Sequence, residues 1–185
     1  DTQCAERTPP WGAPSIEEYI DRVKRNLDSV MHNEIKIGFE WSAHELELLR
    51  QDSPKVFEIM LNLLKDKKIS FYNGTYAQPH LQILSHEANF RQFEEGIKFY
   101  RDVCGFPVTC YIHQEASVHD QIPQLMNHFG LRYSSIPQMG ATIEWLKGGV
   151  INFMGGQKRF IHGNEFTKWQ GLDGSQVSLY LSTVF

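Results

Sequence analysis

Cysteine is scarce in this chain of 185 residues: Cys4, Cys104 and Cys110 are the only three, and no CxxC pair occurs. An odd, sparse set excludes a disulfide scaffold and a cysteine-rich zinc site. The three read instead as small, buried apolar residues. Long apolar runs are missing too, and nothing approaches the ~18–20 residues of a membrane-spanning helix. There is no excess of basic residues: 18 Lys and Arg stand against 22 Asp and Glu, a formal net charge of −4. Nucleic acid and anionic membrane therefore have no electrostatic case as partners. The opening residues DTQCAERTPPWG lack the charged start and apolar stretch of a signal peptide, so a cytoplasmic location is the expectation. The glycosylation sequon Asn73-Gly74-Thr75 carries little weight in that context. Repeats, linkers and low-complexity tracts are absent, and self-association into a homo-oligomer is left open.

What is present is a regular succession of short elements. Ser15-Ile16-Glu17-Glu18 is a capping box, and Ile16, Ile20, Val23, Leu27 and Val30 follow at helical spacing, which predicts a helix from Ile16 to Met31. A strand over Ile35–Phe39, a short helix over Ser42–Arg50 and a helix from Ser53-Pro54 come next. Ile69–Tyr72 reads as a strand, then a long loop, then a helix over His86–Cys104 closed by Gly105. Val108–Ile112, Tyr133–Ile136, Val150–Phe153 and Val177–Leu181 read as strands, and Gln121–Phe129 as a helix capped by Gly130. Asp-Gly at Asp173-Gly174 is a turn dipeptide.

Strands alternating with helices predict an α/β fold of βα units on a parallel sheet. The chain opens on a loop that leads into a helix with no strand before it, and it closes on a strand with nothing after it. The expectation is one domain over residues 1–185, an incomplete βα barrel without its first strand and its C-terminal portion, since a closed eight-stranded barrel takes ~250 residues.

In such sheets the functional loops lie beyond the carboxyl ends of the strands. Three loops there carry chemical groups. In CYIHQEASVHDQIPQL, from Cys110 to Leu125, a strand stops and releases His113, Gln114, Glu115, His119 and Asp120. Glu115 reads either as a catalytic or metal-binding carboxylate, or as an acid complementing a helix N-terminus. Asp120 suits the N-cap. His113 and His119 are six apart, which matches no helical metal spacing such as HExxH. Glu40-Trp41 reads either as an aromatic sugar platform beside a carboxylate or as core, and the third loop runs from Tyr76 to His80.

Three stretches go further. In ISFYNGTYAQPHLQILSHEANFRQ, a strand ends in a glycine turn followed by Tyr76, Gln78-Pro79 and Arg91-Gln92. FTKWQGLDGSQV contains Trp169, Gly171, Asp173, Gly174 and Ser175 as a Trp-x-Gly-x-Asp-Gly-Ser strand pair. IPQLMNHFGLRYSS is a helix leading through a glycine to a strand. Together, and in this order, they resemble family 38 glycoside hydrolases, the α-mannosidase family, and its relative family 57. His80 stands where family 38 usually has an acid.

The resemblance implies an incomplete (β/α)7-type barrel, a carbohydrate substrate such as an α-mannoside, a zinc ion and a retaining mechanism with a carboxylate nucleophile that touches the metal. The family 38 nucleophile lies in an Asp-x-Phe-Gly-His loop. Ungapped, its position falls on Gln114; with a one-residue slip it falls on Glu115, and His119 takes the histidine's place. The slip keeps a carboxylate, and family 57 uses a Glu there. Asp1 stands where a His-x-His-x-Asp metal motif would end. The implied metal ligands are Asp1, Glu115 and His119, and the implied sugar contacts are Trp41, Tyr76, His80, His113 and Gln114. Two other functions remain: a carbohydrate-binding or inactive glycosidase-like domain, favoured by Gln114, and a polysaccharide deacetylase-like metal hydrolase, which lacks its usual His-x-x-x-His pair here.

Overall fold

The computed structural model describes residues 13–112, 120–139 and 165–184. Five helices and six strands alternate over most of that length: α1 (Ile16–His32), β1 (Ile37–Glu40), α2 (Ala43–Asp52), α3 (Pro54–Lys65), β2 (Ile69–Tyr72), α4 (His86–Asp102), β3 (Cys110–Ile112), α5 (Ile122–His128), β4 (Tyr133–Met139), β5 (Glu165–Gln170) and β6 (Gln176–Val184). The helix starts follow local chemistry. The Ser15 hydroxyl accepts from the Glu18 amide. Ser42 and Glu45 close a full, buried capping box in which the Ser42 amide donates to Glu45 Oε2 at 2.7 Å. Pro54 opens α3, where its missing N–H costs nothing. No helix among the described residues is long and apolar enough to cross a membrane.

The strands are mainly parallel. β1 pairs with β2, β3 with β4, and β4 with β6, all parallel. They form a two-stranded sheet and a four-stranded sheet of order β3-β4-β6-β5. The two meet where the Asn73 amide donates to the Cys110 carbonyl at 3.2 Å. The α/β class with parallel strands is thus as the sequence indicated, while the described strands form two sheets that do not by themselves establish the expected incomplete (β/α)7-type barrel.

Three expectations change. β1 begins at Ile37 rather than Ile35, because β2, its partner among the described residues, begins at Ile69, opposite Ile37; Ile35 is left 43% exposed. The alternation pattern gave no strand over residues 165–170, yet β5 is there, antiparallel to β6, as the Trp-x-Gly-x-Asp-Gly-Ser resemblance implied. Its turn is built by Asp173, whose Oδ1 accepts from the Ser175 amide at 3.1 Å and from the Ser175 hydroxyl. That bonding holds the carboxyl below its ordinary range. Gly174, at φ +84°, occupies the left-handed position that such a turn needs. The third change concerns α5, whose N-cap is Gln121 and not Asp120, without a side-chain cap bond. The expected strand over Val150–Phe153 lies outside the described residues.

Helices cover one face of the sheets. Phe71 of β2 lies 5.8 Å from the Trp41 ring and 6.0 Å from Tyr100 of α4, and Tyr111 of β3 lies 5.5 Å from Phe93. Trp169 and Leu179 are enclosed as well. The cysteines partly follow the sequence reading. Cys104 is buried and Cys110 half-buried, both as free thiols; Cys4 lies outside the described residues. Burial pushes their thiols up to about 12 and about 11.

Two consequences follow for the thiols. At pH 8 a free thiol is roughly a quarter thiolate, but Cys110 is only ~10⁻³ ionised. Peptide-level alkylation of native protein is expected to be at least ~100-fold slower at Cys104 and Cys110 than after denaturation; comparable rates would contradict the packing. The pH dependence has a definite sign. Above its ordinary range the unfolded thiol loses its proton while the folded one keeps it, so stability falls as pH rises from ~8.5 through about 11.

Candidate functional site

β1 and β2 run in register, so Glu40 and Tyr72 end side by side. Alternation turns Phe39 and Phe71 to the helices, and Gly38, Glu40 and Tyr72 to the opposite face. A Cβ on Gly38 would stand 1.9 Å from the Tyr72 ring, so this strand position has room only for hydrogen.

Beyond Tyr72 the chain enters a loop fastened on every side. Asn73, at φ +116° and fully buried, accepts from the Thr75 amide at 2.9 Å and its hydroxyl at 2.6 Å. The side chain of Asn73 is thereby enclosed, and the sequon offers no accessible glycosylation amide in the folded protein. The first amides of α2, orphaned by helix geometry, are taken by this loop: Ala43 N–H donates to the Thr75 carbonyl at 3.4 Å and His44 N–H to the Tyr76 carbonyl at 2.8 Å. From the other side, Gln92 of α4 accepts the Tyr76 amide on its carbonyl at 2.8 Å and the Ala77 amide on Oε1 at 2.9 Å. Gly96 lets α4 approach this closely: a Cβ there would lie 2.5 Å from the Gly74 carbonyl oxygen.

The loop then delivers Gln78 to the strand ends. Its backbone sits at φ +48°, a region that non-glycine residues enter at a cost and that concentrates at functional loops. The Gln78 amide donates to Glu40 Oε1 at 3.0 Å. The structure thus joins the first and second strand ends through a carboxylate and an amide. Burial, and to a smaller extent the Glu40 charge, raises the Tyr111 hydroxyl; burial raises that of Tyr100, with Glu45, Cys104 and, least, Glu40 adding to it. Hydrogen bonding of sugar hydroxyls suits such a half-buried carboxylate–amide pair.

The residues singled out in the sequence fall in three groups. Trp41 is not a platform at the strand ends: it is 7% exposed, stacked on Phe39 at 4.4 Å, and its carbonyl accepts the Tyr100 hydroxyl. Phe39 of β1 covers one face of its ring and Phe71 of β2 lies tilted against it. Tyr76 leaves the strand ends as well. Its hydroxyl donates to Glu47 Oε2 of α2 at 2.7 Å, which, with burial and the Glu47 and Glu95 charges, raises the phenol. His80 is exposed and starts a single 3₁₀ turn over Leu81–Ile83. Asp1, His113, Gln114, Glu115 and His119 lie outside the described residues.

Asn73, the residue after β2, is bonded to the Cys110 carbonyl of β3. Among the described residues no group of three or more His, Cys, Asp or Glu side chains could hold a metal ion; the ligands that the resemblance implied, Asp1, Glu115 and His119, lie outside them. Glu40 and Gln78 lie on two of the strand-end loops expected to carry the site, and the structure joins them, although neither was among the expected sugar contacts. The available signal was their position just past two adjacent strands.

Comparison with known proteins agrees with this geometry at the level of fold. The structure is similar to the 4-alpha-glucanotransferase of Thermococcus litoralis (TM-score 0.62, 14% identity, covering 91% of this chain and 24% of that one). It is also similar to an alpha-mannosidase of Enterococcus faecalis (TM-score 0.64, 16% identity, 89% and 18%). The chain therefore spans about a quarter or less of these proteins' lengths. A search of curated proteins finds no match. The profile of glycosyl hydrolase family 57 matches residues 13–156, whereas family 38, which the motifs had put first, is not shown. With its parallel strand pairs and most of its length under that match, the chain belongs to glycosyl hydrolase family 57.

Proposed function

We propose that this chain is part of the catalytic domain of a retaining enzyme that acts on α-glycosides, with Glu115 as nucleophile. One observation carries the reading: the family 57 match runs from residue 13 to 156 and so takes in Glu40, Gln78 and the segment after β3 that holds Glu115. The α-linkage is suggested by the two structural neighbours, both of which are named for α-linked sugars. A carboxylate attacks the anomeric carbon, the bond to the leaving oxygen breaks as a second carboxyl group protonates it, and water or an acceptor hydroxyl then releases the glycosyl group from the carboxylate. Two displacements give net retention. The Glu40–Gln78 pair would hold sugar hydroxyls during both.

Product stereochemistry tests this directly. Full-length protein is incubated with 4-nitrophenyl α-mannoside, 4-nitrophenyl α-glucoside and maltoheptaose, and the first-formed sugar is read by proton NMR. The α-anomer is expected first on at least one of the three. Appearance of the β-anomer first, or no turnover of any of them, would overturn the proposal.

A further inference from the structure

The loop that carries Gln78 to the strand ends turns Tyr76 the other way, into an open groove between α2 and α4 with a volume of about 340 Å³. That lies at the lower end of the size of small-molecule sites. Tyr76, Phe99 and Val103 line its apolar part, and Glu47, Glu95, Lys98 and Asp102 its polar part. The polar groups are not equivalent. Glu47 is occupied by the Tyr76 hydroxyl, and Asp102 is bonded through both oxygens to Arg101, at 2.6 and 3.0 Å. Glu95 and Lys98 have no hydrogen bond or ion pair among the described residues, and both are exposed.

The groove therefore sets exposed Glu95 and Lys98, neither of them hydrogen-bonded among the described residues, beside an aromatic ring that is locked in place, with Glu47 and Asp102 already engaged. An anion would meet three carboxylates, and a cation would meet Lys98, whose charge already acts on Asp102. A neutral polyol satisfies both, because each hydroxyl both donates and accepts, and the C–H face of a pyranose suits the ring. We propose that this groove is an accessory saccharide-binding site, separate from the strand ends, for the glycan on which the enzyme acts. The identity of that glycan rests on the function proposed above; the presence of a saccharide site does not. The two sites share one piece of backbone. Tyr76 and Ala77 are pinned to Gln92, and the next residue, Gln78, holds Glu40.

Affinity electrophoresis of full-length protein through gels containing soluble starch or yeast mannan tests the proposal, with the Glu95→Ala/Lys98→Ala double variant alongside. Both side chains are exposed, so the fold should tolerate their loss. Retardation by one polysaccharide is expected and should fall at least fivefold in the double variant, while kcat/KM on a 4-nitrophenyl glycoside stays within twofold. Retardation that the variant leaves unchanged, or its absence in both gels, overturns the groove. So does wild-type retardation that 1 mM spermidine abolishes, since the occupant would then be a cation. Groove-dependent retardation without glycoside hydrolysis would sink the catalytic reading and keep the groove; hydrolysis with unaltered retardation would do the reverse.

Discussion

Glu115→Gln in full-length protein is expected to lower kcat at least ~10³-fold, about 4 kcal/mol of transition-state stabilisation. The substitution preserves shape and hydrogen-bonding reach but removes the charge that forms the glycosyl–enzyme bond and faces the oxocarbenium-like transition state. A fluorosugar that traps retaining enzymes should label wild type on the peptide containing residues 113–119 and leave Glu115→Gln unlabelled. Gln114→Ala should cost far less. The opposite pattern, with Gln114 critical and Glu115 dispensable, would place the functional slot one residue earlier. If neither substitution matters on a glycoside that the wild type hydrolyses, Glu115 is a helix-start acid and the nucleophile is elsewhere.

The second large effect is expected at Gly96, and it concerns stability. An added Cβ would lie 2.5 Å from the Gly74 carbonyl oxygen, 2.5 Å from the Thr75 carbonyl carbon and 2.8 Å from the Tyr76 amide. All three are backbone atoms that cannot rotate away. Overpacking of this kind costs ~1–3 kcal/mol, while alanine in a helix recovers ~1 kcal/mol over glycine. Gly96→Ala should therefore lower Tm by a few degrees, and Gly96→Val, with more to accommodate, by more; each kcal/mol corresponds to ~2–4 °C at this chain length. Calorimetry that showed Gly96→Ala to be more stable than wild type would mean that helix propensity alone governs the position and that α4 does not press on the loop.

Helices were readable from the sequence because their causes are local. Ser15, Ser42 and Pro54 mark starts that the structure keeps, and of the apolar stripe read on α1, Val23, Leu27 and Val30 are buried, with Tyr19 added and Ile16 and Ile20 only half-buried. Strand limits were less readable, because a strand extends only as far as its partner: Ile35 and Lys36 have the right composition but face the chain before β2 begins. β5 escaped the periodic reading for a related reason. Its pairing is antiparallel to a strand met later in the chain, and one side of it carries Phe166 at 81% exposure. For the site, position past a strand was legible and side-chain direction was not. Trp41 and Glu40 are neighbours in the chain, yet one is core and the other stands at the strand end. The groove between α2 and α4 could not be read at all, since Tyr76, Glu47 and Lys98 meet only when two helices and a loop are assembled.

The loop after β2 is secured by main-chain atoms, by the Asn73, Tyr76 and Gln92 side chains and by a glycine without a side chain. Gln78 carries that anchorage on to Glu40 of β1 through its side chain. An engineer could therefore exchange the Gln78 side chain and keep the main-chain frame that presents it. What stands against the end of β1 and what holds the chain there are, at this edge of the protein, separately adjustable.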